Sequence, residues 1–123
     1  MDGRPLEDHI RNAVAHLDQG DVVTLARIVR GLVEAYEPER IYLFGSKARG
    51  DAGPDSDFDL MVLVAEAAER ESPQVERAHR LLWEVGAAAD VLVWTQARFA
   101  SRAHLRASLP GTISREGRLL YAA

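Results

Sequence analysis

Apolar positions along the chain fall into two alternating kinds of pattern. Leu6, Ile10, Ala13 or Val14, and Leu17 recur at helical spacing within residues 1–20, which predicts a short amphipathic helix, loosely docked, that Gly20 can end. Asp21 can cap a second helix, whose stripe is Val22, Leu25, Ile28 or Val29, Leu32 and Tyr36. Pro38 stops it, and a first strand begins near Arg40 and runs through 41–44. A second strand, 58–64, is apolar on both of its alternating faces, as a central covered strand should be. Asp57, Asp59, Met61 and Leu63 share one face of it; Phe58, Leu60, Val62 and Val64 share the other.

The rest of the chain continues the alternation. Residues 65–71 read as a charged loop or frayed helix. Ser72 and Pro73 open a helix with the stripe Val75, Ala78, Leu81 or Leu82, and Val85, which Gly86 can end. Asp90 opens a third strand, Val91-Leu92-Val93-Trp94. Thr95 can cap a helix over 96–107, Pro110-Gly111 interrupts the pattern, and a helical turn through Arg115 leads past Gly117 to a last strand, 119–121. Strands alternating with helices predict a small α/β fold, a mixed β-sheet packed with helices. The 123 residues are most simply one domain, with no internal repeat.

Composition narrows the function classes. The net charge of −4 argues against a general nucleic-acid binder, although a local basic patch surrounds Arg49. With no cysteine, disulfides and thiolate metal sites are excluded. No apolar run approaches the roughly 18 residues of a membrane span, and the first residues lack the apolar core of a signal peptide, so a cytoplasmic location is the default expectation.

Candidate chemistry concentrates in residues 41–64. Gly45 allows backbone amides to approach a ligand at a tight turn, and Ser46 adds a hydroxyl. Lys47 and Arg49 add positive charge beside them, and Gly50, Gly53 and Pro54 shape the loop that follows. Asp57 and Asp59 set two carboxylates on one side of a strand start, where they repel by a few kcal/mol at an effective dielectric of about 20. A divalent cation with a preference for hard oxygen ligands, Mg²⁺ or Mn²⁺, relieves that repulsion; the plainer reading is a solvated turn. Asp90 precedes an apolar strand as Asp57 and Asp59 do, and would meet them if the third strand lies beside the second. Asp51 and Asp55 read as loop residues. His9, His16, His79 and His104 are scattered and make no site. Trp83 and Trp94 read as core or partner-facing surface. Arg98, Arg102, Arg106, Arg115 and Arg118 give the last third a basic bias, usually a solvated face.

The string G-S-K-A-R-G-D, followed by S-D-F-D-L, resembles the signature of the DNA polymerase beta-like nucleotidyltransferases, and in particular their minimal branch. Many members of that branch are antitoxins encoded beside a HEPN-type toxin. The resemblance implies the polymerase beta-like nucleotidyltransferase fold and transfer of an NMP group, AMP from ATP, to an acceptor hydroxyl. It implies Asp57, Asp59 and Asp90 as catalytic metal ligands for two Mg²⁺ ions, and Gly45, Ser46, Lys47 and Arg49 as the nucleotide-binding turn. The implied acceptor is a tyrosine of the partner toxin. Two other functions stay open: an antitoxin that neutralises its partner by binding alone, and transfer to a small hydroxylated molecule. The chain leaves little room for a separate acceptor or template domain, which fits an acceptor that brings its own surface. The oligomeric state, alone or with a partner, stays open as well.

Overall fold

A computed structural model describes residues 6–53, 56–65, 80, 83–84 and 89–123. Of the helix predicted from Ser72 and Pro73 through Val85, residues 80 and 83–84 are described and are helical; its other residues, His79 among them, and the loop residues Pro54 and Asp55 lie outside the described residues. Among the described residues four strands form one mixed sheet: β1 (Arg40–Phe44), β2 (Phe58–Val64), β3 (Ala89–Thr95) and β4 (Arg118–Ala122), in the order β3-β2-β1-β4. β1 pairs antiparallel with both β2 and β4, while β2 and β3 run parallel. Five helices accompany them among the described residues: α1 (Leu6–Ala13), α2 (Gln19–Tyr36), α3 (Gly45–Arg49), α4 (Gln96–Arg102) and α5 (Leu109–Glu116).

The predicted alternation of β2 divides the core. Phe58, Leu60, Val62 and Val64 join Ile41, Leu43 and Leu120 against α1 and α2, whose contributions include Ile10, Leu25, Ile28 and Leu32. Met61 and Leu63 pack on the other face with Phe99 of α4 and Ile113 of α5, and Tyr42 and Phe44 lie against them. Helices therefore cover both faces, which is why β2 tolerates no polar residue after Asp59.

Four boundaries differ from the pattern-based expectation. Asp18, not Asp21, caps α2: its carboxylate accepts the Asp21 N–H at 2.7 Å. The Asp21 carboxylate is committed to the Lys47 ammonium instead, and Gly20 falls inside the first turn of α2 rather than ending α1. The helix expected over 96–107 stops at Arg102, because Ser108 turns the chain by donating to the Arg102 and Leu105 carbonyls and then accepts the Gly111 N–H as cap of α5. Pro110 and Gly111 thus begin a helix, where proline's missing N–H costs nothing, instead of interrupting one. A Cβ on Gly111 would overlap the Leu105 carbonyl oxygen, so the tight entry requires glycine.

The first helix is not loosely docked. Ile10 and Val14 are fully buried and Leu6 nearly so, in the larger core cluster. Trp94 is half-buried with the Arg98 guanidinium 3.9 Å from its ring, whereas Trp83 stands exposed. Among the described residues, no helix is long and apolar enough to cross a membrane.

Ile10→Ala is expected to cost about 2–4 kcal/mol in urea unfolding, as deletion of a fully buried core side chain does. A cost under about 0.5 kcal/mol would mean that α1 is a peripheral element.

Candidate active site

Strand register brings the candidate residues to one end of the sheet. Asp59 stands opposite Phe44, the residue just before the Gly45-Ser46 turn, in the β1–β2 ladder. On its other side Asp59 pairs with Asp90 in the parallel β2–β3 ladder, so the two carboxylates leave the same face. Asp57 precedes Asp59 by two residues at the entry to β2 and is exposed. The condition attached to Asp90, that the third strand lie beside the second, is met.

The surroundings of Asp59 record this crowding. Partial burial and then the charges of Asp90 and Asp57 push its carboxyl above the usual carboxylate range, while Arg49 pulls the other way. Hard oxygen donors under mutual repulsion suit a divalent cation chemically. Among the described residues, no three carboxylates or imidazoles are grouped tightly enough to hold one ion as they stand. The three aspartates would have to draw together round it.

Gly45 makes the approach of the turn to Asp59 feasible. Its φ is 74°, in the left-handed region, and a Cβ built on it would overlap the Asp59 carboxylate. The chain enters α3 there, and a helix's first N–H groups have no partner within it, so the turn presents donors beside the carboxylates. The far end of α3 is closed off: the Ser46 carbonyl accepts from the Gly50 and Asp51 N–H groups, and the Lys47 carbonyl accepts from His16 Nε2 at 2.7 Å. Gly50 ends α3 at φ 89°.

The basic residues of the turn part company. Arg49 is exposed, bonds Asp51 at 3.1 Å and lies within the fields of Asp59 and Glu116, on the side of the carboxylates. Lys47 does not point there. Its side chain is 10% exposed, its ammonium is 2.9 Å from an Asp21 carboxylate oxygen, and it sits 5.1 Å from the centre of the Phe58 ring. The expectation that the Lys47 side chain contacts a nucleotide does not fit this placement. Behind α3 lies a cavity of about 210 Å³, lined by His16, Leu17, Asp21, Lys47, Gly50 and Gly53; none of the three aspartates borders it.

Asp21 and His16 have no counterpart in the sequence reading of the site. They meet Lys47 from 26 and 31 residues away, so no spacing rule could single them out. Glu116, brought near Arg49 by the end of α5, is likewise invisible to local pattern.

A family model for the nucleotidyltransferase domain matches residues 25–119. No curated protein matches the sequence at a significant level. Among solved structures, the chain is similar to a toxin–antitoxin with AMP-PNP: 24% identity, TM-score 0.55, over 79% of this chain and 72% of that one. It is similar to a mutant of the toxin–antitoxin MntA-HpeT at 20% identity and TM-score 0.54, over 87% and 75% of the two chains. A proposed nucleotidyltransferase from Sulfolobus solfataricus shares 17% identity at TM-score 0.53, over 98% of this chain and 89% of that one. At these identities the likeness is one of fold.

Two outcomes test the geometry without any assay of activity. A carboxyl that binds its proton more tightly folded than unfolded lowers stability as pH rises from its ordinary range through its raised value. In the absence of divalent cations, Asp59→Asn should therefore raise Tm near neutral pH, with the gain shrinking as pH falls toward about 4; a constant difference at all pH values would contradict the crowding. Gly45→Ala should cost about 1–3 kcal/mol in chemical denaturation, and combining it with Asp59→Gly, which removes the overlapping carboxylate, should recover part of that cost.

Proposed function

The chain belongs to the nucleotidyltransferase domain family, and from that premise we propose that it transfers AMP from ATP to a tyrosine hydroxyl of a HEPN-type toxin, acting as its antitoxin. The observation that carries the reading is the register: Asp59 stands between Asp90 on one side and the Gly45-Ser46 turn on the other. Phosphate donors and a carboxylate cluster thus share one sheet end. The fold shared with two toxin–antitoxins, one with AMP-PNP, supports the nucleotide and the kind of partner.

Each residue has a part in this proposal. Ser46, through its hydroxyl, its N–H and the N–H of Lys47, holds a phosphate of the nucleotide. Arg49 leaves its surface contact with Asp51 to add charge to the same group. Asp57 and Asp59 hold the divalent cations, Mg²⁺ or Mn²⁺, with Asp90 as the third ligand. Once bound, these ions supply neutralisation of the triphosphate and a more acidic acceptor hydroxyl. Asp90, exposed where Asp59 is half-buried, receives the proton of that hydroxyl. The acceptor oxygen then bonds to the α-phosphorus while the bond to pyrophosphate breaks.

The test is the intact mass of a HEPN-type protein encoded beside this chain, after incubation with it, ATP and Mg²⁺. A gain of one or more AMP units is expected, slowed by at least about 100-fold in Asp57→Asn and Asp59→Asn. Transfer that survives both substitutions sinks the assignment of the carboxylates. A stable complex with no mass gain would make the chain an antitoxin by occlusion.

A further inference from the structure

Lys47 is the one buried charged residue of the described chain, at 9% exposure, and the mechanism above uses only its N–H. A buried ammonium is costly unless paired and hydrogen-bonded. Here each of its groups is engaged. The ammonium bonds Asp21 near the start of α2 at 2.9 Å, and it lies over the ring of Phe58 at the start of β2. The main-chain carbonyl accepts from His16 Nε2 at 2.7 Å, which fixes the proton on that nitrogen, since a carbonyl cannot donate.

Three segments of the chain therefore meet on one residue, α2 and β2 at its side chain and the α1–α2 connection at its carbonyl. Phe58 lies between Asp57 and Asp59 in sequence, and its ring faces the opposite side of β2, away from the carboxylates. Lys47 follows Ser46 in α3. The contact of Lys47 with Phe58 thus joins the back of the strand that carries the carboxylates to the back of the turn that presents phosphate donors. Asp21 and His16 anchor the joint to α2 and to the segment between α1 and α2.

We propose that Lys47 is a positioning residue: with Asp21, Phe58 and His16 it forms a brace behind the site that sets the separation of the Gly45-Ser46 turn from Asp57 and Asp59. The proposal rests on the nucleotidyltransferase reading for its catalytic consequence but not for its structural one. The separation matters because a phosphate held by the turn must also meet what the carboxylates hold. An error of about 1 Å in such an arrangement can cost about 100-fold in rate. The Lys47 side chain touches no substrate; it acts by fixing the main chain of its own helix.

Asp21 makes the brace testable, because it lines the cavity behind α3, which Asp57, Asp59 and Asp90 do not border. Its side chain is 29% exposed, so Asp21→Asn leaves a foldable chain even if Lys47→Met does not. The first measurement is deuterium uptake in a peptide spanning 44–51, with one spanning 58–64 as a control on global stability. Lys47→Met, Asp21→Asn and the double variant should each speed exchange in 44–51 by about 10-fold and leave 58–64 unchanged. The second is steady-state transfer. The three variants should lose a similar factor of about 10–100 in kcat, with KM for ATP within about 3-fold of wild type, because the partners act as a unit.

Unchanged exchange in 44–51 in Asp21→Asn overturns the brace, whatever the assay of transfer shows. So does a raised KM for ATP in Lys47→Met alongside wild-type behaviour in Asp21→Asn, the pattern of a direct phosphate contact. If the wild-type chain transfers no nucleotide, the exchange experiment still decides the brace, and only the functional reading falls.

Discussion

The whole arrangement depends on one pairing: Asp59 of β2 in register with Asp90 of β3. Two carboxylates side by side, with a third two residues upstream, repel by a few kcal/mol at an effective dielectric of about 20. Nothing about the aspartates themselves favours that meeting. The apolar remainder of β2 enforces it. Phe58, Leu60, Met61, Val62, Leu63 and Val64 are all buried, each at about 1.5–3 kcal/mol relative to exposure. A slip of one residue would turn Asp59 into the α1–α2 core and Leu60 toward the other face. The core thus fixes a register that the charges alone would reject, and partial burial together with the charges of Asp90 and Asp57 raises the proton affinity of Asp59.

Gly45 is the second constraint, and it depends on the first. Phe44 lies opposite Asp59, so the chain must turn sharply at the one place where a carboxylate crowds it. Glycine answers both demands, with a left-handed backbone and no Cβ to meet Asp59. The same residue that satisfies sterics lets helix N–H groups and carboxylates lie side by side, which is the electrostatic asymmetry that phosphate transfer requires. Packing and chemistry here have a common cause.

The two faces of the sheet divide the remaining work. The face toward α1 and α2 holds the larger core and, at its edge, the ion pair of Lys47 with Asp21. The face toward α4 and α5 holds the smaller cluster, and β2 carries its aspartates on this side. The turn at Gly45-Ser46 is consequently supported from behind and open in front. Support comes from groups distant in sequence, whereas the groups that would do chemistry, Asp90 apart, lie within residues 45–59.

What could be read from the chain alone was local. The period-two alternation of 58–64, the Gly45-Ser46 pair after an apolar run, and the shared face of Asp57 and Asp59 each follow from neighbours within a few residues. So do the cap at Thr95 and the stop at Pro38. Competition between equal local options was decided elsewhere. Asp18 and Asp21 are both good caps, and the choice went to Asp18 because Lys47 claims the other carboxylate. Lys47 looked like a partner for phosphate because it adjoins Ser46, yet side chains next to one another on a helix point in different directions. Its direction follows from an acid 26 residues away and an aromatic ring on another strand. Asp90 carried no local mark beyond a following apolar run; only the parallel pairing of β3 with β2 set it beside Asp59. Sequence determined which groups exist and which face of their own element they share. Tertiary structure decided which of them meet, because meeting is set by burial of the apolar faces between them.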